Sequence, residues 1–184
     1  MLHWARHDPL TGLPNRRYLR ERLERMLNRC AGNHGPALAV MYLDLDGFKQ
    51  VNDGLGHHAG DLVLKAVANR LRKTLRHGEL VARLGGDEFA IVVENATSAA
   101  SAALAQRTIQ RLSEPYPLST CATASIGASI GIAFATNDAS FELLMKRADA
   151  ALYDAKEAGK CTFRFSTTDA VVKDTIVTEA SNPH

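Results

Sequence analysis

Cysteine is scarce in this chain of 184 residues, and the three present, Cys30, Cys121 and Cys161, stand far apart. Their number is odd and their spacing offers no CxxC pair and no zinc pattern, which excludes a disulfide framework and a structural zinc site. They read as buried small hydrophobes in a reducing compartment. Long apolar runs are also missing: no stretch approaches the ~18 residues a membrane-spanning helix needs. Residues 1–7 carry Trp4, Arg6 and two histidines and lack the apolar core of a secretory signal. The location expected is cytoplasmic, for the chain itself or as the cytoplasmic part of a larger, membrane-attached protein. A charge excess is absent as well. Lys and Arg total 22 against 20 Asp and Glu, a formal +2, which excludes a nucleic-acid binder working by bulk charge. What is present is an ordinary folded balance of 46% hydrophobic and 23% charged residues. The length suits one domain, which needs no cross-link to bury its core.

Residues 8–17 hold Pro9, Gly12 and Pro14 and read as a turn-rich entry, with Pro14 suited to a helix's first turn. Leu19, Leu23, Met26, Leu27 and Cys30 then recur at helical spacing until Gly32 and Gly35. Residues 37–45 are nearly all apolar, as in a strand buried on both faces, and end in Asp44-Leu45-Asp46. A short helix over 47–53 leads to the glycine-rich turn 54–58, then to an amphipathic helix with Leu64, Val67, Ala68, Leu71 and Leu75 on one face. Two β-like runs, 79–84 and 88–93, are joined by Gly85-Gly86-Asp87, a strong hairpin signal. An Ala-rich helix over 97–112 precedes Pro115 and Pro117. Period-two alternation over 122–134 predicts one strand, a helix follows over 141–155, and 161–165 is a last short strand. The twice-occurring Ser-Ile-Gly at 125–127 and 129–131 is too brief for a structural repeat. Residues 166–184 are polar and read as a disordered tail. The pattern predicts an α/β (α+β) domain: a central mixed sheet with helices packed on it.

Two acidic groups stand where carboxylates are unusual. Asp44 and Asp46 end an apolar strand, and buried charges must be paired or coordinated. Asp87 and Glu88 follow paired glycines in the hairpin, although a solvated charged turn would look the same. If strand and hairpin are neighbours, Asp44, Asp87 and Glu88 supply hard oxygen ligands for Mg²⁺ and a bound phosphate. Two such ions can activate a hydroxyl and polarise a phosphoryl group. Phe48 and Lys49 open the helix after the acidic strand end, where free N–H groups can hold phosphate. Asn52 and Asp61 flank the glycine-rich turn; together they can read a guanine edge, or simply cap the turn. Lys156 and Lys160, at i and i+4, can meet a triphosphate or remain solvated.

These residues carry a resemblance. Asp8-Pro9-Leu10-Thr11-Gly12-Leu13-Pro14-Asn15-Arg16-Arg17, Asp44-Leu45-Asp46-Gly47-Phe48-Lys49, Asn52-Asp53, Gly56-His57, Gly60-Asp61, Arg83-Leu84-Gly85-Gly86-Asp87-Glu88-Phe89, Ser129-Ile130-Gly131-Ile132-Ala133, and Ala148-Asp149 through Tyr153, Ala155, Lys156 and Gly159-Lys160 appear in order and at fitting spacing. Over residues 8–165 the chain resembles the GGDEF family of diguanylate cyclases. The resemblance implies a mostly antiparallel five-stranded sheet flanked by helices, similar to the palm of class III nucleotide cyclases, with the signature hairpin at the active site. It implies condensation of two GTP into cyclic di-GMP and two pyrophosphates, each 3′-hydroxyl attacking the other GTP's α-phosphate across a homodimer.

By matching position, Asp87 and Glu88 are the implied catalytic residues, and Asp44, the Leu45 carbonyl, Asp87 and Glu88 the implied ligands of two Mg²⁺ (or Mn²⁺) ions per half-site. Asn52 and Asp61 are the implied guanine readers. Phe48, Lys49, Lys156 and Lys160 are the implied phosphate contacts. Arg76 and Glu79 stand at the family's product-inhibition site, with Glu79 one methylene longer than the usual Asp. Lys160 stands where Arg is more frequent, turning a bidentate contact into a point charge, and Cys161 stands where Asn is usual. Residues 1–7 then read as a truncated linker or helix end, following an N-terminal sensory or receiver domain in a longer protein. The competing readings are a non-catalytic domain that binds GTP or cyclic di-GMP, and a nucleotidyl transferase making another product.

Overall fold

The computed structural model describes residues 6–30, 37–76, 78–119, 122–136 and 139–167. Helix α1 (Arg16–Cys30) starts at Asn15, whose side-chain oxygen accepts the Tyr18 N–H at 3.0 Å. Pro14 lies just outside the helix rather than in its first turn, and its carbonyl accepts the Arg83 N–H at 2.9 Å. Strand β1 (Leu38–Asp46) is buried on both faces as far as Leu43. Helices α2 (Phe48–Leu55) and α3 (His57–Thr74) follow, separated only by Gly56. The segment expected as a turn is therefore almost wholly helical.

The hairpin joins β2 (Leu80–Gly85) to β3 (Glu88–Glu94). Helix α4 (Ser98–Leu112) starts where Thr97 accepts the Ala100 N–H at 3.1 Å. Strands β4 (Tyr116–Pro117) and β5 (Thr123–Ala124) form a small separate ribbon. Strand β6 (Gly127–Phe134), helix α5 (Phe141–Glu157) and strand β7 (Phe163–Phe165) complete the fold.

The main sheet has the order β2-β3-β1-β6-β7. Only β6 and β7 pair in parallel, with α5 as the crossover; the other pairs are antiparallel. The mixed, mostly antiparallel five-stranded sheet matches the expectation. Alternation along the strands separates two cores. Leu43, Leu45, Phe89 and Ile130 face the side of α3 and α4. Val40, Tyr42, Ala90 and Val92 face Leu19 and Leu23 of α1 and Leu144 and Ala148 of α5. Among the described residues no helix is long and apolar enough to cross a membrane.

Three further expectations need correction. The strand expected over 122–134 is two strands, because residues 123–124 leave the main sheet to pair with β4. Their partner strand is anchored from elsewhere in the fold: Tyr116 of β4 is buried, with the Arg70 guanidinium of α3 3.7 Å from its ring centre. Cys161 is exposed rather than buried; the Cys30 side chain and Cys121 lie outside the described residues. Ser166 is buried and its N–H donates to the Ile132 carbonyl at 2.7 Å, so ordered chain continues past residue 165. Residues 168–184 lie outside the description.

Candidate active site

Strand β1 ends as the centre of three strands. Asp44 stands opposite Glu88 on β3 and Ser129 on β6. By the pleat, Tyr42, Asp44, Asp46 and Glu88 belong to the face that α5 covers. From α5, the Lys156 ammonium reaches Asp44 Oδ1 at 2.9 Å. Burial pushes the Asp44 carboxyl up, Lys156 pulls it down, and the charges of Asp87 and Asp46 push it up again, with a net rise. The site is thus short of positive charge, and an internal cation already supplies some. Burial and the Glu88 charge push the Tyr42 phenol up to about 12, and its hydroxyl is hydrogen-bonded to Glu88. A phenol held neutral in this way donates to the carboxylate and fixes it.

The hairpin tip is held just beyond this strand end. Gly85 and Gly86 adopt φ of 148° and 50°, which only glycine takes without strain, and the register shifts between Arg83 and Gly85. The Leu45 N–H donates to the Asp87 carbonyl at 3.2 Å. In an antiparallel strand a residue's C=O points to the same neighbour as its N–H, so the Leu45 carbonyl also faces the hairpin. Arg83 forks between two anchors. Its Nη1 meets both Asp8 oxygens at 3.0 and 3.1 Å, while Nε and Nη2 donate to the Gly86 carbonyl at 3.1 and 2.7 Å. Asp8 also accepts the Thr11 N–H at 2.8 Å and hydroxyl at 2.6 Å.

The other expected residues lie around this centre. The Phe48 side chain is buried in the core, so only its backbone at the start of α2 can face phosphate; Lys49 beside it is exposed. Asn52 is half-buried on α2 and lies across Gly60 of α3: a Cβ on Gly60 would stand 2.0 Å from Asn52 Oδ1. Asp61, the next residue, is exposed. The α2–α3 contact thus sets Asn52 against Gly60, the residue before Asp61. Lys160 is exposed, in a left-handed backbone conformation of φ 64°.

Residues 5–162 match the family described as diguanylate cyclase, GGDEF domain. The chain belongs to the GGDEF-domain family. It is 45% identical over 166 residues to MucR of Pseudomonas aeruginosa, a bifunctional diguanylate cyclase/cyclic di-GMP phosphodiesterase, covering 90% of this chain and 24% of MucR. It is 40% identical over 172 residues to the cyclic di-GMP phosphodiesterase NbdA of the same species, covering 93% of this chain and 22% of NbdA. The chain thus spans about a quarter of the length of these relatives. The solved GGDEF domain of TpbB from P. aeruginosa superposes with a TM-score of 0.81 at 42% identity, over 87% of this chain and 94% of that one.

Among the described residues of this GGDEF domain, no three His, Cys, Asp or Glu side chains are grouped to hold a metal ion. The donor set still fits a hard cation that keeps waters and shares ligands with a phosphate. Asp44 already holds an ammonium, and Glu88, hydrogen-bonded to the Tyr42 hydroxyl, stands beside it on the same face. Three residues around the site were given no role by the sequence reading: Tyr42, Arg83 and Asp8. Arg83 and Asp8 lie inside the motif blocks, and their joint appearance was the available signal. Tyr42 gave none beyond its place on an apolar strand, and Asp46 was singled out with Asp44 as a strand-end carboxylate but assigned no role. The product-site candidates are bonded to each other just before β2: Glu79 Oε2 accepts the Arg76 N–H at 2.7 Å, while Arg76 is exposed.

Proposed function

We propose that this GGDEF domain is a diguanylate cyclase, condensing two GTP into cyclic di-GMP and two pyrophosphates when two copies face each other. The observation that carries the reading is the Asp44–Lys156 contact beside Glu88: anionic and cationic groups meet at the open end of a buried strand. Asp44, the Leu45 carbonyl, Asp87 and Glu88 would hold Mg²⁺ or Mn²⁺, two ions per half-site. When bound, the metal neutralises phosphate charge and makes the 3′-hydroxyl a better nucleophile.

The chain's own side chains do the rest. Lys156, released from Asp44, and Lys160 and Lys49 balance the triphosphate. Asn52 and Asp61 read guanine, since a carboxylate finds donors on its N1 and N2 and no matching pair on adenine. Glu88, held by Tyr42, takes the proton from the attacking 3′-hydroxyl as the new bond to the partner's α-phosphate forms and pyrophosphate leaves. One chain holds one nucleotide, so a second copy must present the other. A sensory or receiver domain in the full-length protein would control that encounter, with the domain working in the cytoplasm where GTP is found.

Incubation with GTP and Mg²⁺ over a range of protein concentrations tests this directly. Cyclic di-GMP and pyrophosphate should appear with a rate per subunit that rises with concentration. Glu88→Gln should abolish turnover while the domain melts normally; full activity in that variant would remove Glu88 from the mechanism. A second reading, a domain that binds nucleotide without turnover, is favoured by the match to NbdA, which is named for cyclic di-GMP breakdown. GTP binding with no product at any protein concentration would select it.

A further inference from the structure

Asp46 lies two residues beyond Asp44 and is committed elsewhere. Its Oδ2 accepts two hydrogen bonds, from the Ser129 hydroxyl at 2.7 Å and from the Cys161 N–H at 3.0 Å. Ser129 is fully buried on β6. Cys161 is the second residue after Gly159, in the link from α5 to β7. With one oxygen shared between two donors, Asp46 is a fastening rather than an open ligand.

What it fastens is unusual backbone. Gly159, Lys160 and Cys161 have φ of 109°, 64° and 47°. Three left-handed residues in succession, two of them bearing a Cβ, are disfavoured by local sterics and persist only where the surroundings hold them. The first part of the turn is held from within, by the Gly159 N–H on the Lys156 carbonyl at 3.2 Å and the Lys160 N–H on the Ala155 carbonyl at 3.2 Å. The Cys161 N–H goes instead to the carboxylate of Asp46, across the sheet end. A charged acceptor makes this the strong bond of the turn. Packing agrees: a Cβ on Gly127, the β6 partner of Asp46, would stand 2.3 Å from Cys161 Sγ. A glycine is thus present where the turn lies down on the strand.

We infer that Asp46 is a positioning residue for nucleotide binding, holding the Gly159-Lys160-Cys161 turn so that Lys160 is presented to the phosphates on the same strand end as Asp44. The inference rests on the assignment of Lys160 as a phosphate contact. Asp46 itself touches neither metal nor nucleotide.

The test uses the whole chain with Mg²⁺ and a non-hydrolysable GTP analogue, with binding followed by calorimetry and amide exchange at Cys161 by NMR. Asp46→Ala should speed Cys161 exchange and weaken analogue binding about tenfold, as Lys160→Ala does. The double variant should bind no more weakly than Lys160→Ala alone, since both changes remove one contact. Asp46→Asn should return affinity to within about threefold of the original, because an amide oxygen accepts the same two bonds. If Asp46→Ala fails to fold, Asp46→Ser serves, its hydroxyl being too short to reach Cys161.

Unchanged Cys161 exchange in the Ala or Ser variant would overturn the inference whatever the nucleotide does. So would additive losses in the double variant, or an Asn variant as weak as Ala, which would mean that the charge acts directly. If Lys160→Ala binds the analogue normally while Cys161 exchange responds to Asp46, the phosphate role of Lys160 fails and the inferred link to binding falls with it, while the fastening stands.

Discussion

Arg83 is bound to Asp8 through both carboxylate oxygens, at 3.0 and 3.1 Å, although 75 residues separate them. The same guanidinium holds the Gly86 carbonyl, so the loop before α1 and the tip of the hairpin share one anchor. Both partners are mostly shielded, with side-chain exposures of 11% and 17%, so neither charge can return to water if the other is lost. Asp8→Ala should therefore destabilise the domain by about 2 kcal/mol, the cost of leaving a largely buried charge-assisted bond unmade. Denaturant unfolding checks the stability. A fall in cyclase activity beyond the unfolded fraction would show that the hairpin has loosened as well.

Asp8 also gives the domain a pH signature. Burial would raise its pKa, but the Thr11 hydrogen bonds and Arg83 outweigh burial and leave it below the ordinary 3.8. A depressed carboxylate stabilises the fold above its unfolded pKa, and that contribution is lost as pH falls through the folded value. The stability difference between the original chain and Asp8→Asn should thus be constant from pH 5 to 7, about 1–3 pH units above the ordinary value. It should shrink below pH ~3.8. A difference that grows as pH falls would mean that the shift has the opposite sign.

Gly131 should tolerate no side chain. A Cβ there would stand 2.0 Å from the Ala148 carbonyl oxygen and 2.2 Å from the Leu152 nitrogen. Both are helix backbone and cannot swing aside, so α5 must move as a body. Gly131→Ala should cost about 1–3 kcal/mol, as overpacking does, lowering the melting temperature. Because α5 carries Lys156, it should also weaken GTP binding in the folded fraction.

Gly60→Ala should behave differently. The main obstacle is Asn52 Oδ1, at 2.0 Å, the end of a side chain that can rotate, while the tip of the buried Phe48 ring, at 3.2 Å, need give way by only a few tenths of an ångström. Stability should change little, within about 1 kcal/mol, while Asn52 is displaced from the position proposed for reading guanine. The expected result is a several-fold rise in KM for GTP, with less change in kcat and weaker preference over ATP. Unchanged GTP kinetics would detach Asn52 from base recognition.

Much of this protein is local in origin. The apolar run ending at Asp44-Leu45-Asp46, the Gly85-Gly86-Asp87 turn and the helical periodicity of 141–155 each dictate their own element. Backbone sterics and side-chain periodicity act over a few residues, so those elements and the family motifs could be read directly from the chain. Tertiary structure decided what depends on distant partners. It split the alternating stretch 122–134, since pairing with Tyr116 and Pro117 outweighs a period that suits either arrangement. It also left Cys161 exposed in a turn tied to Asp46. Asp44 and Asp46 look equivalent in the sequence and differ in the fold. One faces Lys156 at the open end of the site, and the other is consumed by Ser129 and Cys161. A carboxylate's role depends on which charges and donors reach it through space, and those come from β6, from the C-terminal turn of α5 and from the link that follows it.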